Sequence, residues 1–262
     1  MEENSQFNNL TLKEEAHNSP VKVKITAHFY TFIIGIFSLA IFTTLIIEVV
    51  KLIGIDHFTE VSYMATVNFM TYFLTFITLA GVLLFFRVVE NLVRPFAKLK
   101  TYIYGVFYGL AVIIGGIAVT LLMQLIFGDQ GSNANQGTIE LILKNHPVSS
   151  FFWIVLMGPI VEEVIYRFGL FGGLRKINRP LAYVISALVF GFIHFNIPLD
   201  ENNKVIMTEL MTELINIPSY IVSGLIFAYA YEKEGFGVGV VAHVTNNLIS
   251  FVFSIISIYG TN

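Results

Sequence analysis

Long apolar runs alternate with short polar connections along the chain, and the first run starts only after residue 26. A helix needs about 20 mostly apolar residues to cross the hydrocarbon core of a bilayer. On that criterion the pattern predicts helices over 27–50, 61–86, 101–127, 151–171, 181–195, 219–231 and 238–259. The expected fold is therefore all-α, a polytopic membrane helical bundle of about seven transmembrane helices. The stretch 205–216, VIMTELMTELIN, has a different period. Its Val, Ile, Met and Leu positions gather on one side of a helix, with Thr208, Glu209, Thr212 and Glu213 on the other, which predicts an interfacial amphipathic helix.

The polar connections refine the boundaries. Residues 1–26 mix acids, Asn and Ser without an apolar period and read as a flexible tail. Gly172 and Gly173 are expected to end the fourth helix, while Pro180 and Pro218 open the fifth and sixth. The segment 128–147 reads as an exposed loop with a short amphipathic piece near 139–143. Gly105 and Gly109 stand in GxxxG spacing, which suits close helix packing. His28 and Glu48 are placed at interface depth, where polar ends reach water cheaply. The organisation is a tail over 1–26, amino-terminal helices over 27–127 and a core over 148–259.

Composition removes several classes. Hydrophobic residues make up 55% and charged residues 13% of the chain, against about 25% charged in a soluble domain. The mean hydropathy is +0.74. Nothing supports nucleic-acid binding; the bilayer itself is the partner that composition implies. With no cysteine, disulfides, thiolate catalysis and Cys-ligated metal are excluded. The first apolar run exceeds a signal-peptide core and lacks a small-residue cleavage site, so it reads as a retained helix. An amino terminus on the cytoplasmic side places eleven of the 15 Lys and Arg residues on that side, as the positive-inside rule requires.

One apolar run carries charge where it is expensive. FFWIVLMGPIVEEVIYRFGLF, residues 151–171, holds Glu162, Glu163 and Arg167, and each ionised group at the bilayer centre costs about 2.5–3.5 kcal/mol on insertion scales. Residues four apart share a helix face, whereas neighbours diverge by about 100°. Glu163 can thus pair with Arg167, leaving Glu162 as the carboxylate free for acid–base work. Pro159 removes one helical hydrogen bond and frees a carbonyl near Val155. His194 closes the fifth apolar run, and His243 precedes Asn247 by one turn in the last. A carboxylate, two histidines and an amide in separate membrane helices are the parts for activating water and holding an oxyanion.

These residues fall into three ordered motifs: EEVIYR at 162–167, FGFIH at 190–194 and HVTNN at 243–247. As EExxxR, FxxxH and HxxxN on successive helices they resemble the CPBP family, the CAAX-protease and bacteriocin-processing (Abi-type) intramembrane endopeptidases. The resemblance spans about 148–259. It implies that Glu162 and His194 activate water, that His243 and Asn247 stabilise the oxyanion, and that Glu163 and Arg167 support the site. It also implies a membrane-associated peptide or protein substrate, in CAAX-type processing, bacteriocin or pheromone maturation, or self-immunity, in a bacterial cell membrane. Metal-free chemistry is favoured; the alternative is a metalloprotease with zinc on Glu162, His194 and His243, although HExxH is absent. Two other classes fit the buried charges: an ion- or proton-coupled transporter, and a catalytically idle scaffold that regulates a partner. On this helix assignment His194 stands about 10 Å further from the cytoplasmic face than His243.

Overall fold

A computed structural model describes residues 23–129, 131 and 133–260. The tail expected over 1–26 therefore lies, as far as residue 22, outside the described residues. Eight helices organise the rest: α1 Ile25–Ile53, α2 Glu60–Phe85, α3 Leu99–Phe127, α4 Ala134–Asn145, α5 Pro147–Arg175, α6 Arg179–Phe192, α7 Met207–Glu234 and α8 Phe236–Tyr259. Among the described residues, six are long and apolar enough to cross a membrane: α1, α2, α3, α5, α7 and α8. The seventh apolar helix, α6, is shorter, with 14 residues. The chain is a polytopic helical membrane protein.

Local chemistry sets the boundaries. Thr59 Oγ1 accepts from Ser62 N ahead of α2, Asn133 Oδ1 accepts from Gln136 N ahead of α4, and Asn178 Oδ1 accepts from Leu181 N ahead of α6. Each satisfies an orphan amide of a first turn. Gly235, at φ 94°, makes the one-residue reversal between α7 and α8.

Packing places α5 at the centre. Its second half is sheathed by α1, with α6, α7 and α8 also against it, and α3 lies outside on α7 and α8. The main apolar core joins Val161, Val164, Ile165 and Phe168 of α5 to Leu79 of α2, Phe190 of α6, Phe227 of α7 and Val240 of α8. The GxxxG pair acts in packing. A Cβ on Gly105 would sit 2.3 Å from Val241 Cγ1, and one on Gly109 would sit 2.6 Å from Thr245 Cβ.

Three boundary expectations change. The stretch 205–216 does not form a separate interfacial helix: from Met207 it is the start of α7, which continues through Pro218. Its Glu213 is buried, accepting from Ala134 N at 2.7 Å and Asn196 N at 3.1 Å. Paired backbone donors from the start of α4 and from the loop after α6 outweigh the exposed position that the amphipathic pattern favours. Gly172 and Gly173 do not end α5; they let it pass close to His28 and Phe29 of α1 before stopping at Arg175. His28 is buried among protein atoms, with Nδ1 donating to Phe168 O at 2.6 Å. The segment 128–147 contains the three-turn helix α4, longer than the short piece expected.

Candidate active site

The site begins with a distortion in α5. Residues Phe151–Met157 and Glu163–Phe171 form widened π-type turns on either side of an α-helical piece, Gly158–Glu162. Such turns bond each amide to the carbonyl five residues back, and Gly158 N accordingly donates to Trp153 O. The next amide in that register belongs to Pro159, which has no N–H, so the carbonyl of Ile154 is left for a partner. Asn247 Nδ2 of α8 donates to it at 2.8 Å. The sequence placed the freed carbonyl near Val155; the wider turn moves it one residue back. Asn247 Oδ1 in turn accepts from Asn246 Nδ2 at 3.0 Å.

His243 stands between the two carboxylates. Its Nδ1 lies 3.1 Å from Glu163 Oε1 and its Nε2 lies 3.8 Å from Glu162 Oε2. A carboxylate can only accept, so Nδ1 carries a proton and Nε2 is the ring nitrogen that faces Glu162. Phe227 stacks on the imidazole at 4.4 Å between centroids. The other oxygen of Glu162 accepts from Tyr72 Oη at 3.0 Å. Gly239, one turn before His243, makes room for Glu163, since a Cβ there would meet Oε2 at 2.9 Å.

Glu163 and Arg167 adjoin as their spacing predicts, with Nε 3.6 Å from Oε1 and both side chains fully buried. That separation is beyond a hydrogen bond. The guanidinium instead lies on the Phe190 ring at 4.3 Å and near Phe227 at 5.4 Å, an arrangement in which the aromatic quadrupole attracts the cation. Glu163 is therefore shared between Arg167 and His243 rather than committed to one cation.

His194 lies two residues beyond the end of α6. Its Nδ1 donates to Phe190 O at 2.8 Å, which leaves Nε2 as an acceptor, and Tyr220 of α7 stacks on it at 4.3 Å. Among the described residues no hydrogen bond joins it to Glu162 or His243. The ring of Phe190 stands between the two histidines, 5.1 Å from His194 and 5.8 Å from His243. One cavity nonetheless takes in both histidines. That cavity, of about 610 Å³, is lined by Glu162, His194, His243 and Asn247 together, and by α4 through Asn135, Gln136, Ile139 and Leu143. Glu163 and Arg167 sit behind this lining. Among the described residues no group of three or more His, Asp and Glu side chains is placed to hold a metal ion.

Sequence reasoning did not find Tyr72, Tyr220 or Glu213. For Tyr72 a signal existed: Asn68, Thr71 and Tyr72 recur at i, i+3 and i+4 in α2, and all three line the cavity. Tyr220 and Glu213 carry no local signal, because their roles depend on loops far away in sequence. Glu213 ties the start of α4 to the loop after His194, and Asn133 Nδ2 reaches His194 O at 3.4 Å.

Buried Glu162, Glu163 and His243, with half-buried His194 and Asn247, gather ionisable and amide groups inside a polytopic helical membrane protein. Residues 144–249 match the family described as "Type II CAAX prenyl endopeptidase Rce1-like", and the CPBP recognition drawn from the three motifs is borne out over that segment. The chain is similar to the "Membrane-embedded CAAX protease MroQ" of Staphylococcus aureus (strain USA300), with 26% identity over 154 residues, 56% of this chain and 55% of the relative. It is also similar to the "UPF0177 protein YvdC" of Lactococcus lactis subsp. lactis (strain IL1403), with 22% identity over 152 residues, 55% of this chain and 52% of the relative. The chain thus spans about half the length of the curated relatives it matches. No solved structure matches it.

Proposed function

We propose that the chain is an intramembrane endopeptidase that hydrolyses a peptide bond in a membrane-associated peptide or protein. The observation that carries this reading is Glu162. It is a carboxylate on a helix apolar enough to span, it lines a cavity about 610 Å³ in volume, and it has Tyr72 on one oxygen and His243 near the other. In the proposed reaction a water molecule sits in the cavity between Glu162 and the free Nε2 of His194, both proton acceptors. Glu162 removes the proton as the oxygen attacks the scissile carbonyl. The proton passes to His243 Nε2, whose ring is held by Glu163, and the imidazolium stabilises the oxyanion together with the second N–H of Asn247. As the intermediate collapses, the C–N bond breaks and the leaving nitrogen takes the proton from His243 Nε2. Arg167 balances Glu163 and so keeps His243 in register.

The name of the Staphylococcus aureus relative supports CAAX-type processing as the substrate class; bacteriocin or pheromone maturation and self-immunity are the other outcomes a substrate screen would separate. The positive-inside count supports a cytoplasmic amino terminus in a bacterial membrane.

The test is cleavage of a membrane peptide library by the purified chain in proteoliposomes, comparing wild type with Glu162→Gln, His194→Ala and His243→Ala. Loss in all three supports the reading, and full activity in all three overturns it. Ion flux without cleavage would turn the assignment to a transporter, and a wild-type cellular effect from Glu162→Gln to a scaffold. Cleavage that a strong chelator abolishes and added zinc restores would replace the metal-free chemistry with a metalloprotease.

A further inference from the structure

A second polar cavity lies well away from Glu162, where the end of α5, the start of α6, the end of α7 and the start of α1 meet. It has a volume of about 420 Å³ and is lined by His28, Gly172, Arg175, Lys176, Arg179 and Tyr231. Its geometry rests on Glu232, whose side chain is only 4% exposed. Arg175 Nε donates to Glu232 Oε1 at 2.7 Å, Arg179 Nε donates to the same oxygen at 2.8 Å, and Arg179 Nη2 donates to Oε2 at 2.8 Å. Tyr183 Oη completes the set at 2.7 Å from Oε2. The carboxylate is saturated, so its effect is to hold two guanidinium groups by their inner edges.

The outer edges are left over. Among the described residues, both terminal nitrogens of Arg175 and one of Arg179 have no hydrogen-bond partner, and these side chains are 48% and 59% exposed. Lys176 Nζ donates to Val23 O and keeps its full charge at the same rim. Three cations therefore face one carboxylate, an excess of two positive charges. Deeper in the cavity, His28 is 96% buried by its 4% exposure; Nδ1 is committed to Phe168 O, and Nε2 has no described partner. The Tyr231 hydroxyl lines the same space without a described hydrogen bond.

Oriented guanidinium edges, an ammonium, a hydroxyl and a buried imidazole around one hollow suit the oxygens of an anionic phosphate group, because arginine forks match phosphate oxygens. The hollow lies at the end of α5, among Arg175, Lys176 and Arg179, which the positive-inside count assigns to the cytoplasmic side. Basic pockets between transmembrane helices on that side bind anionic headgroups. We propose that this cavity is a phosphate-binding site, taking the phosphate of an anionic lipid headgroup or a free phosphate.

The test uses the purified full chain and three probes: dioctanoyl phosphatidylglycerol, dioctanoyl phosphatidylcholine and inorganic phosphate, with binding read by native mass spectrometry and by thermal shift. Arg175→Gln with Lys176→Gln leaves Arg179 and Tyr183 on Glu232, so the fold is retained. This variant should bind phosphatidylglycerol about tenfold or more weakly, at least one oriented charge contact being lost. Lys98→Gln with Lys100→Gln removes the same charge from another connection and should change binding less than about twofold. Competition by inorganic phosphate would support a site for free phosphate; binding of phosphatidylglycerol without that competition would support the lipid source. Equal losses in the two double variants, equal binding of phosphatidylcholine, or no binding of either phosphate probe would overturn the proposal. Glu162→Gln should bind as wild type, so this result stands apart from the fate of the peptidase reading.

Discussion

Helices α3 and α5 are the same length, 29 residues, and both are apolar enough to span, yet their surroundings are opposite. The most apolar window of α3 has a mean hydropathy of 2.5 and is 6% buried, whereas that of α5 has 1.7 and is 50% buried. The more hydrophobic helix is the one left to the lipid. In a bilayer, burial inside protein is not driven by apolar surface, because lipid tails solvate leucine as well as another helix does. What draws α5 inward is its charge. Glu162, Glu163 and Arg167 need partners that lipid cannot supply, and α2, α6, α7 and α8 deliver Tyr72, Phe190, Phe227 and His243 to them. α3 contributes smoothness instead, through Gly105 and Gly109 against α8.

Substitutions can break or sharpen this contrast. The largest effect is expected from Glu162→Gln: a fall of about 10²–10⁴ in the rate of peptide cleavage, with the unfolding transition little moved, as for loss of a general base. Next comes Arg167→Leu, which leaves Glu163 in a fully buried place without its cation. It should lower stability by about 3–5 kcal/mol, measured by unfolding in mixed micelles, and a variant that also carries Glu163→Leu should recover most of the loss. On α3, Gly109→Leu should cost about 1–3 kcal/mol by forcing α8 away, and with it shift His243 relative to Glu162. Tyr72→Phe removes one hydrogen bond to Glu162 and should slow cleavage about threefold to tenfold, equal to about 0.5–1.5 kcal/mol. The smallest effect belongs to Leu125→Ala on α3. This side chain is 83% exposed in the protein and should change stability by less than about 0.5 kcal/mol. If Leu125→Ala were as damaging as Gly109→Leu, α3 would have a partner beyond this chain.

The contrast also explains what could be read in advance. Apolar runs announce helices directly, so the bundle was legible from their lengths. The three motifs were legible because ionisable residues in such runs stand out. Tyr72 was obscured because a tyrosine in an apolar helix looks like core until its neighbours Asn68 and Thr71 are counted with it. Pro218 misled because proline most often starts helices in water, whereas membrane helices continue through it when neighbouring groups re-satisfy the backbone. Glu213 reads as part of a wet face because its two backbone donors, on Ala134 at the start of α4 and Asn196 in the loop after α6, lie 79 and 17 residues away in the chain. Pairing over such distances leaves no trace in local pattern.

The missing amide of Pro159 has a meaning beyond the kink. An imino acid carries no message of its own to another helix, yet by silencing one donor it leaves the Ile154 carbonyl as an unanswered acceptor on α5, and Asn247 is the residue that answers it. Pro159 thus works as an address label. It specifies which turn of α8 docks against α5, and so brings the His243 imidazole to the level of Glu162 without touching either.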